Sequence, residues 1–136
     1  DIHTMKQYFL KLLEYMIDKR DQITGRQYSF LLKKAKDFVE KNYMDPEISL
    51  NSVAEYIGLS PTYFSTVFKQ EAGMNFIDYL TKTRIDEAKR LLRSTDKRIS
   101  DIAMEVGYRD QHYFSSAFKK YQGDTPKSYR ENKNEE

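Results

Sequence analysis

The chain of 136 residues has no cysteine. That excludes a disulfide framework, a thiolate-held zinc or iron–sulfur centre, and thiol catalysis. Glycine and proline are scarce, at 5 and 3, so turns are few and helices are favoured. No apolar run approaches the ~20 residues that cross a bilayer, and no secretory signal opens the chain. A cytoplasmic location without membrane contact is the resulting expectation. The two histidines, His3 and His112, lie far apart with no second ligand at metal-binding spacing, so neither a metal nor a cofactor is expected. There is no glycine-rich phosphate loop and no nucleophile elbow. Acidic pairs such as Asp86 and Glu87 read as solvated helix surface, and catalytic residues are expected to be absent. Charge of one sign is not in excess either. Residues 1–45 hold 9 basic and 7 acidic side chains, 46–95 hold 6 and 6, and 96–136 hold 8 and 8, for a net +2. Nucleic-acid binding would therefore depend on where charges point.

What is present is aromatic. Eleven tyrosines and eight phenylalanines can fill a core, and disordered tracts do not carry so many. The length suits one domain or two small ones. The chain opens on Asp1 rather than Met, which reads as a piece of a longer protein.

An internal repeat organises the sequence. VAEYIGLSPTYFSTVFKQEAG at 53–73 aligns with IAMEVGYRDQHYFSSAFKKYQG at 102–123. Val53, Ala54, Ile57 and Gly58 match Ile102, Ala103, Val106 and Gly107 at an offset of 49. Tyr63, Phe64, Ser65, Phe68, Lys69 and Gly73 match Tyr113, Phe114, Ser115, Phe118, Lys119 and Gly123 at an offset of 50. The extra residue falls between Gly and Tyr, where a turn tolerates it.

Each copy reads as helix, turn, helix. Leu50, Val53, Ala54 and Ile57 form an i, i+3, i+4, i+7 stripe, repeated by Ile99, Ile102, Ala103 and Val106. Gly58 and Gly107 should end these short helices. Ser60–Pro61 and Asp110 start the second helices, at about 61–72 and 111–122, and Gly73 and Gly123 stop them. Phe64, Val67 and Phe68, and likewise Phe114, Ala117 and Phe118, should face the core. A longer helix of about 75–93, capped by Asn75, should join the copies as a beam, with Ile77, Leu80, Ile85, Ala88, Leu91 and Leu92 as its apolar face. Thr125 and Pro126 start a last short helix. Residues 132–136 read as a disordered tail. Upstream, Phe30, Leu31, Ala35, Phe38 and Val39 predict a helix over about 27–43. Residues 21–25 read as a hinge. Residues 1–26 read as a connector helix in which Ile2, Met5, Phe9, Leu12 and Met16 follow 3-4-3-4 spacing. Two heptads fall short of a coiled-coil signature but raise homodimerisation through this helix as a role.

The fold class is thus all-α, with two helix–turn–helix motifs on a linker helix. Tandem motifs of this kind suggest double-stranded DNA, because the second helix of each can enter a major groove. A beam of about 19 residues spans roughly 28 Å, against ~34 Å between successive grooves on one face. Two reading helices could therefore occupy adjacent grooves.

GYRDQHYFSSAFKKYQGDTPKSYR at 107–130 closely resembles the signature of the AraC/XylS family of bacterial transcription regulators. SLNSVAEYIGLSPTYFSTVFKQEAG fits that family's first motif. NFIDYLTKTRIDEAKRLL fits its linker helix, in the phrasing of AraC-type response regulators of two-component systems. The match covers about 33–131. It implies a sequence-specific DNA-binding domain that activates transcription near RNA polymerase, with residues 1–26 leading to a sensor or receiver domain.

By that resemblance Thr62, Ser65 and Thr66 of the first reading helix face bases, as do Gln111, His112, Ser115 and Ser116 of the second. Gln pairs bidentately with adenine, while Ser and Thr are permissive. Many members carry Arg where this chain has Thr66 and Ser116, which implies either weaker, more shape-dependent reading or a site less reliant on guanine at those steps. Lys69, Lys119 and Lys120 lie where the family flanks the DNA backbone, so phosphate contact is implied. The plain alternative is solvated helix surface. Arg84, inside the apolar stripe of the beam, reads as a structural ion-pair partner. Tyr63, Phe64, Tyr113 and Phe114 look like a stacking platform, but their helical spacing favours the core, at least for the two Phe. The rival function is a helical protein–protein interaction module. The polar reading positions argue against it, since protein hot spots favour aromatics and Arg.

Overall fold

The computed structural model describes residues 1–23 and 25–132, with side chains described outside 17–27. Regular structure among these residues is helical: α1 (Ile2–Ile23), α2 (Gly25–Asn42), α3 (Leu50–Ile57), α4 (Pro61–Ala72), α5 (Phe76–Ser94), α6 (Ile99–Glu105), α7 (Gln111–Gln122) and α8 (Pro126–Glu131). Side-chain caps set most of the starts. Ser49 and Ser52 form a reciprocal capping box at α3. Ser60 accepts the Tyr63 N–H ahead of Pro61. Asn75 accepts the Asp78 N–H at 2.8 Å, and Thr125 accepts the Ser128 N–H. Each such cap satisfies an orphan donor of the first turn and contributes about 1 kcal/mol.

The helices build two cores along one beam. Ala35 and Val39 of α2, Val53, Ala54 and Ile57 of α3, and Phe64 and Phe68 of α4 gather on Phe76 and Leu80 in the first half of α5. The second half of α5 gives Ile85, Ala88, Leu91 and Leu92 to the other core, with Ile102, Ala103, Val106, Tyr108, Phe114, Phe118 and Tyr129. Aromatic edges fill the spaces. Phe68 meets Phe76 at 5.7 Å between ring centroids and nearly at right angles; Phe118 meets Tyr129 at 5.5 Å. Phe68 and Phe118 are fully buried, and truncating such a ring to Ala costs about 3–5 kcal/mol. Half-buried Tyr43, just past α2, packs against both cores.

Three expectations are corrected. The apolar face of the beam begins at buried Phe76, while Ile77 is 55% exposed; the face starts one residue earlier than read. Phe30 is likewise exposed, whereas Ala35 and Val39 of the same reading are buried. Gly107, directly after the Val106 cap, ends α6 as read, at φ +107° with the Tyr108 N–H on the Ala103 carbonyl. Arg84 is buried, but no carboxylate among the described residues forms an ion pair with it. Its Nε donates to the Tyr43 carbonyl at 2.8 Å and an Nη to the Asp45 carbonyl at 3.0 Å. Burial lowers its pKa, the Tyr108 ring beside it opposing. The loop that follows α2 presents bare carbonyls, and a five-donor guanidinium satisfies them.

Of the hinge read at residues 21–25, residues 21–23 belong to α1 and Gly25 starts α2, while Thr24 lies outside the described residues, as do residues 133–136 of the tail read at 132–136. Residues 1–16 of α1 are all exposed, including Met5, Phe9, Leu12 and Met16. No helix among the described residues is long and apolar enough to cross a membrane.

Candidate nucleic-acid interface

The two reading helices, α4 and α7, bury the same positions and expose the same positions. Phe64 and Phe68 point inward on α4, and Phe114 and Phe118 on α7, each pair 50 residues apart. On the outer side Thr62, Thr66 and Lys69 are exposed and Ser65 is half-buried. Fifty residues on, His112, Ser116 and Lys119 are exposed and Ser115 is half-buried. Gln111 and Lys120 are exposed as well. All ten side chains singled out for DNA thus lie on two equivalent helix faces.

Chemistry separates the two faces. Thr66 Oγ1 donates to the Thr62 carbonyl at 3.1 Å. Its hydroxyl proton is engaged along the helix, which leaves lone pairs and a methyl group for a partner. Asp110 Oδ1 accepts the His112 N–H at 2.7 Å and orders the first turn of α7 below Gln111 and His112. The twelve residues of α7 include no carboxylate and two lysines; α4 has Glu71 and one lysine. The α7 surface therefore suits an anionic partner better than a cationic one, while the α4 surface is polar and without net charge.

The aromatic pairs divide. Phe64 and Phe114 are core, and Tyr63 is half-buried with its hydroxyl bonded to that of Tyr28. Tyr113 is 69% exposed, its ring 5.8 Å from that of Tyr108. Helical rotation of ~100° from the inward Phe114 was the signal for that exposure. Tyr121, not singled out from sequence, donates its hydroxyl to Asp78 Oδ1 at 2.6 Å, across 43 residues. That bond, with burial adding to it, pushes the Tyr121 phenol up to about 12.

A joint holds the halves together behind these faces. Arg84 bonds the 43–45 loop from below, its guanidinium 5.2 Å from the Tyr108 ring. Arg109 pairs with Glu47 across the same gap. Arg130 donates to the carbonyls of Leu92 and Thr95 and fastens α8 to the end of the beam.

Residues 53–132 match the helix-turn-helix domain family. The chain is similar to the melibiose operon regulatory protein of Escherichia coli K12, 35% identical over 106 residues that make up 78% of this chain. The C-terminal domain of AraT, a response regulator from Geobacillus stearothermophilus, is 44% identical. It superposes with a TM-score of 0.74 over 75% of this chain and 84% of that one. The chain belongs to the AraC-type helix-turn-helix family. As an AraC-type domain it is a sequence-specific DNA-binding domain of a transcription regulator. The fold is also that of the DNA-binding domain of AdpA, solved in complex with a target DNA. There the TM-score is 0.70 and the identity 21%, over 74% of this chain and 89% of that one. The AraC-type chain spans about a third (35%) of the length of the melibiose regulator.

Proposed function

We propose that α4 and α7 enter adjacent major grooves of one DNA site, held at a fixed separation by α5. Thr62, Ser65 and Thr66 read one half-site; Gln111, His112, Ser115 and Ser116 read the other. Lys69, Lys119 and Lys120 contact phosphates. The observation that carries this reading is the matched outer face of the two helices, polar and basic at the same positions 50 residues apart. Affinity then comes from phosphates and discrimination from base edges. The domain acts by occupying DNA, without catalysis, in the cytoplasm of a bacterium. Residues 1–26 connect it to a sensor or receiver domain, as in a two-component response regulator. α1 serves homodimerisation through its exposed 3-4-3-4 stripe, and the bound regulator activates transcription by contact with RNA polymerase.

Selection of DNA by the purified chain from a random pool tests the reading. Two half-sites with centres about one turn, 10–10.5 bp, apart are expected. Inserting about 5 bp between them turns one half-site to the far face and should weaken binding about 10³-fold, toward the non-specific level. A single half-site in the pool, or indifference to the insertion, overturns it.

A further inference from the structure

α7 is seated against the beam unevenly. On its inner side Phe114 and Phe118 are fully buried. On its flank a cleft of about 300 Å³ separates it from the start of α5, with Ile77, Asp78 and Thr81 on one wall and Tyr113, Ser116 and Tyr121 on the other. Packed side chains therefore do not fix the tilt of α7 toward the first half of the molecule on this side. A hydrogen bond crosses the cleft. The Tyr121 hydroxyl, in the last turn of α7, donates to Asp78 Oδ1, in the first turn of α5, at 2.6 Å. Asp78 is itself held, because its N–H is bonded by the Asn75 cap. The clasp thus ties the second reading helix to the end of the beam that adjoins the first motif.

We infer that the Asp78–Tyr121 clasp sets the angle of α7 on the beam and so selects the separation of the two half-sites. Asp78 and Tyr121 are positioning residues for recognition; neither needs to touch a base. Without the clasp, α7 pivots on Phe114 and Phe118 into the open cleft. Its amino-terminal end, with Gln111 and His112, then swings away from its place on the DNA.

The inference rests on the adjacent-groove reading, and the test keeps the two apart. The full chain selects DNA from a pool in which the separation of the half-sites varies one base pair at a time. Should the unaltered chain fail to select paired half-sites, the adjacent-groove reading is wrong. Given pairing, Tyr121→Phe and Asp78→Ala should keep the half-site sequences. The penalty for moving the half-sites 1 bp should shrink roughly fivefold, the factor carried by one hydrogen bond of ordinary net strength. Asp78→Asn keeps the Oδ1 acceptor and should keep the original separation. Both Asp78 variants remove a negative charge, so the readout is the ratio between separations and not the affinity. Tyr121→Phe with an unchanged ratio, or Asp78→Asn behaving like Asp78→Ala, overturns the inference. A second measurement needs no DNA. The absence of native cysteine allows spin labels at Gln70→Cys and Gln111→Cys alone. The distance distribution between them should widen in Tyr121→Phe, and an equal width counts against the clasp.

Discussion

Gly107 leaves the space through which Arg84 reaches the Tyr43 carbonyl. A Cβ at that glycine would stand 2.4 Å from the Tyr43 oxygen and 2.8 Å from Arg84 Nε, closer than atoms approach. Its partner in the repeat, Gly58, has a similar left-handed φ of +87° and nothing within 4 Å.

The two glycines should therefore respond differently to alanine. Gly58→Ala carries the conformational cost alone, about 1 kcal/mol. Gly107→Ala adds displacement of Arg84 from the Tyr43 and Asp45 carbonyls, for about 3 kcal/mol in total. Chemical denaturation of the two variants measures the difference. Equal losses would mean that Arg84 moves aside without cost.

Salt dependence reports the phosphate contacts. Log K should fall linearly with log salt, and Lys119→Ala should weaken binding to every sequence while flattening the slope by about 1. A slope that stays put removes Lys119 from the backbone contacts.

Removing residues 1–24 should leave the thermal transition within about 0.5 kcal/mol of its original stability, the range of changes at exposed sites. The reason is that residues 1–16 are exposed and Tyr28 is the first residue of the described core. Binding to one site should persist. Sedimentation of the two forms shows whether self-association leaves with α1. A lost transition would place α1 in the fold.

Alkaline pH should weaken the fold through tyrosine. Tyr43, Tyr79 and Tyr108 are raised above 10.0 chiefly by burial, and Tyr121 is raised to about 12 chiefly by Asp78. A raised folded pKa means the folded chain holds these protons longer than the unfolded one. The stabilisation is complete below the unfolded value of 10.0 and is lost as pH climbs toward 12. Denaturation midpoints across that window should fall, and Tyr121→Phe should make the fall shallower. A flat profile contradicts the assignment.

Much of this was legible in the sequence because it is local. Ser60–Pro61, Asp110, Gly73 and Gly123 bound α4 and α7 at the residues expected, and the repeated Phe pairs marked the inward faces. What escaped is set at long range. Nothing in the sequence around Arg84 indicates that it meets two loop carbonyls about 40 residues upstream. An ion pair is the ordinary expectation for a buried cation. Ile77 and Phe76 are both apolar, and only packing against Phe64 and Phe68 selects Phe76. The Tyr121–Asp78 bond joins an exposed tyrosine to a half-buried aspartate, both ordinary types, so composition could not single it out.

Two cores strung on one helix also bear on how the molecule comes apart. Each motif has its own aromatic cluster, and half-buried Tyr43 packs against both. Loss of one cluster need not expose the whole of the other. The coupling between them runs through α5, Tyr43 and the carbonyls that Arg84 holds. Native-state hydrogen exchange should therefore resolve the domain into two cooperative units, with the amides of α3 and α4 opening together and those of α6 and α7 opening together. Weakening the joint should split a single unfolding transition into two, which makes this small domain a measure of how few contacts suffice to fold two units as one.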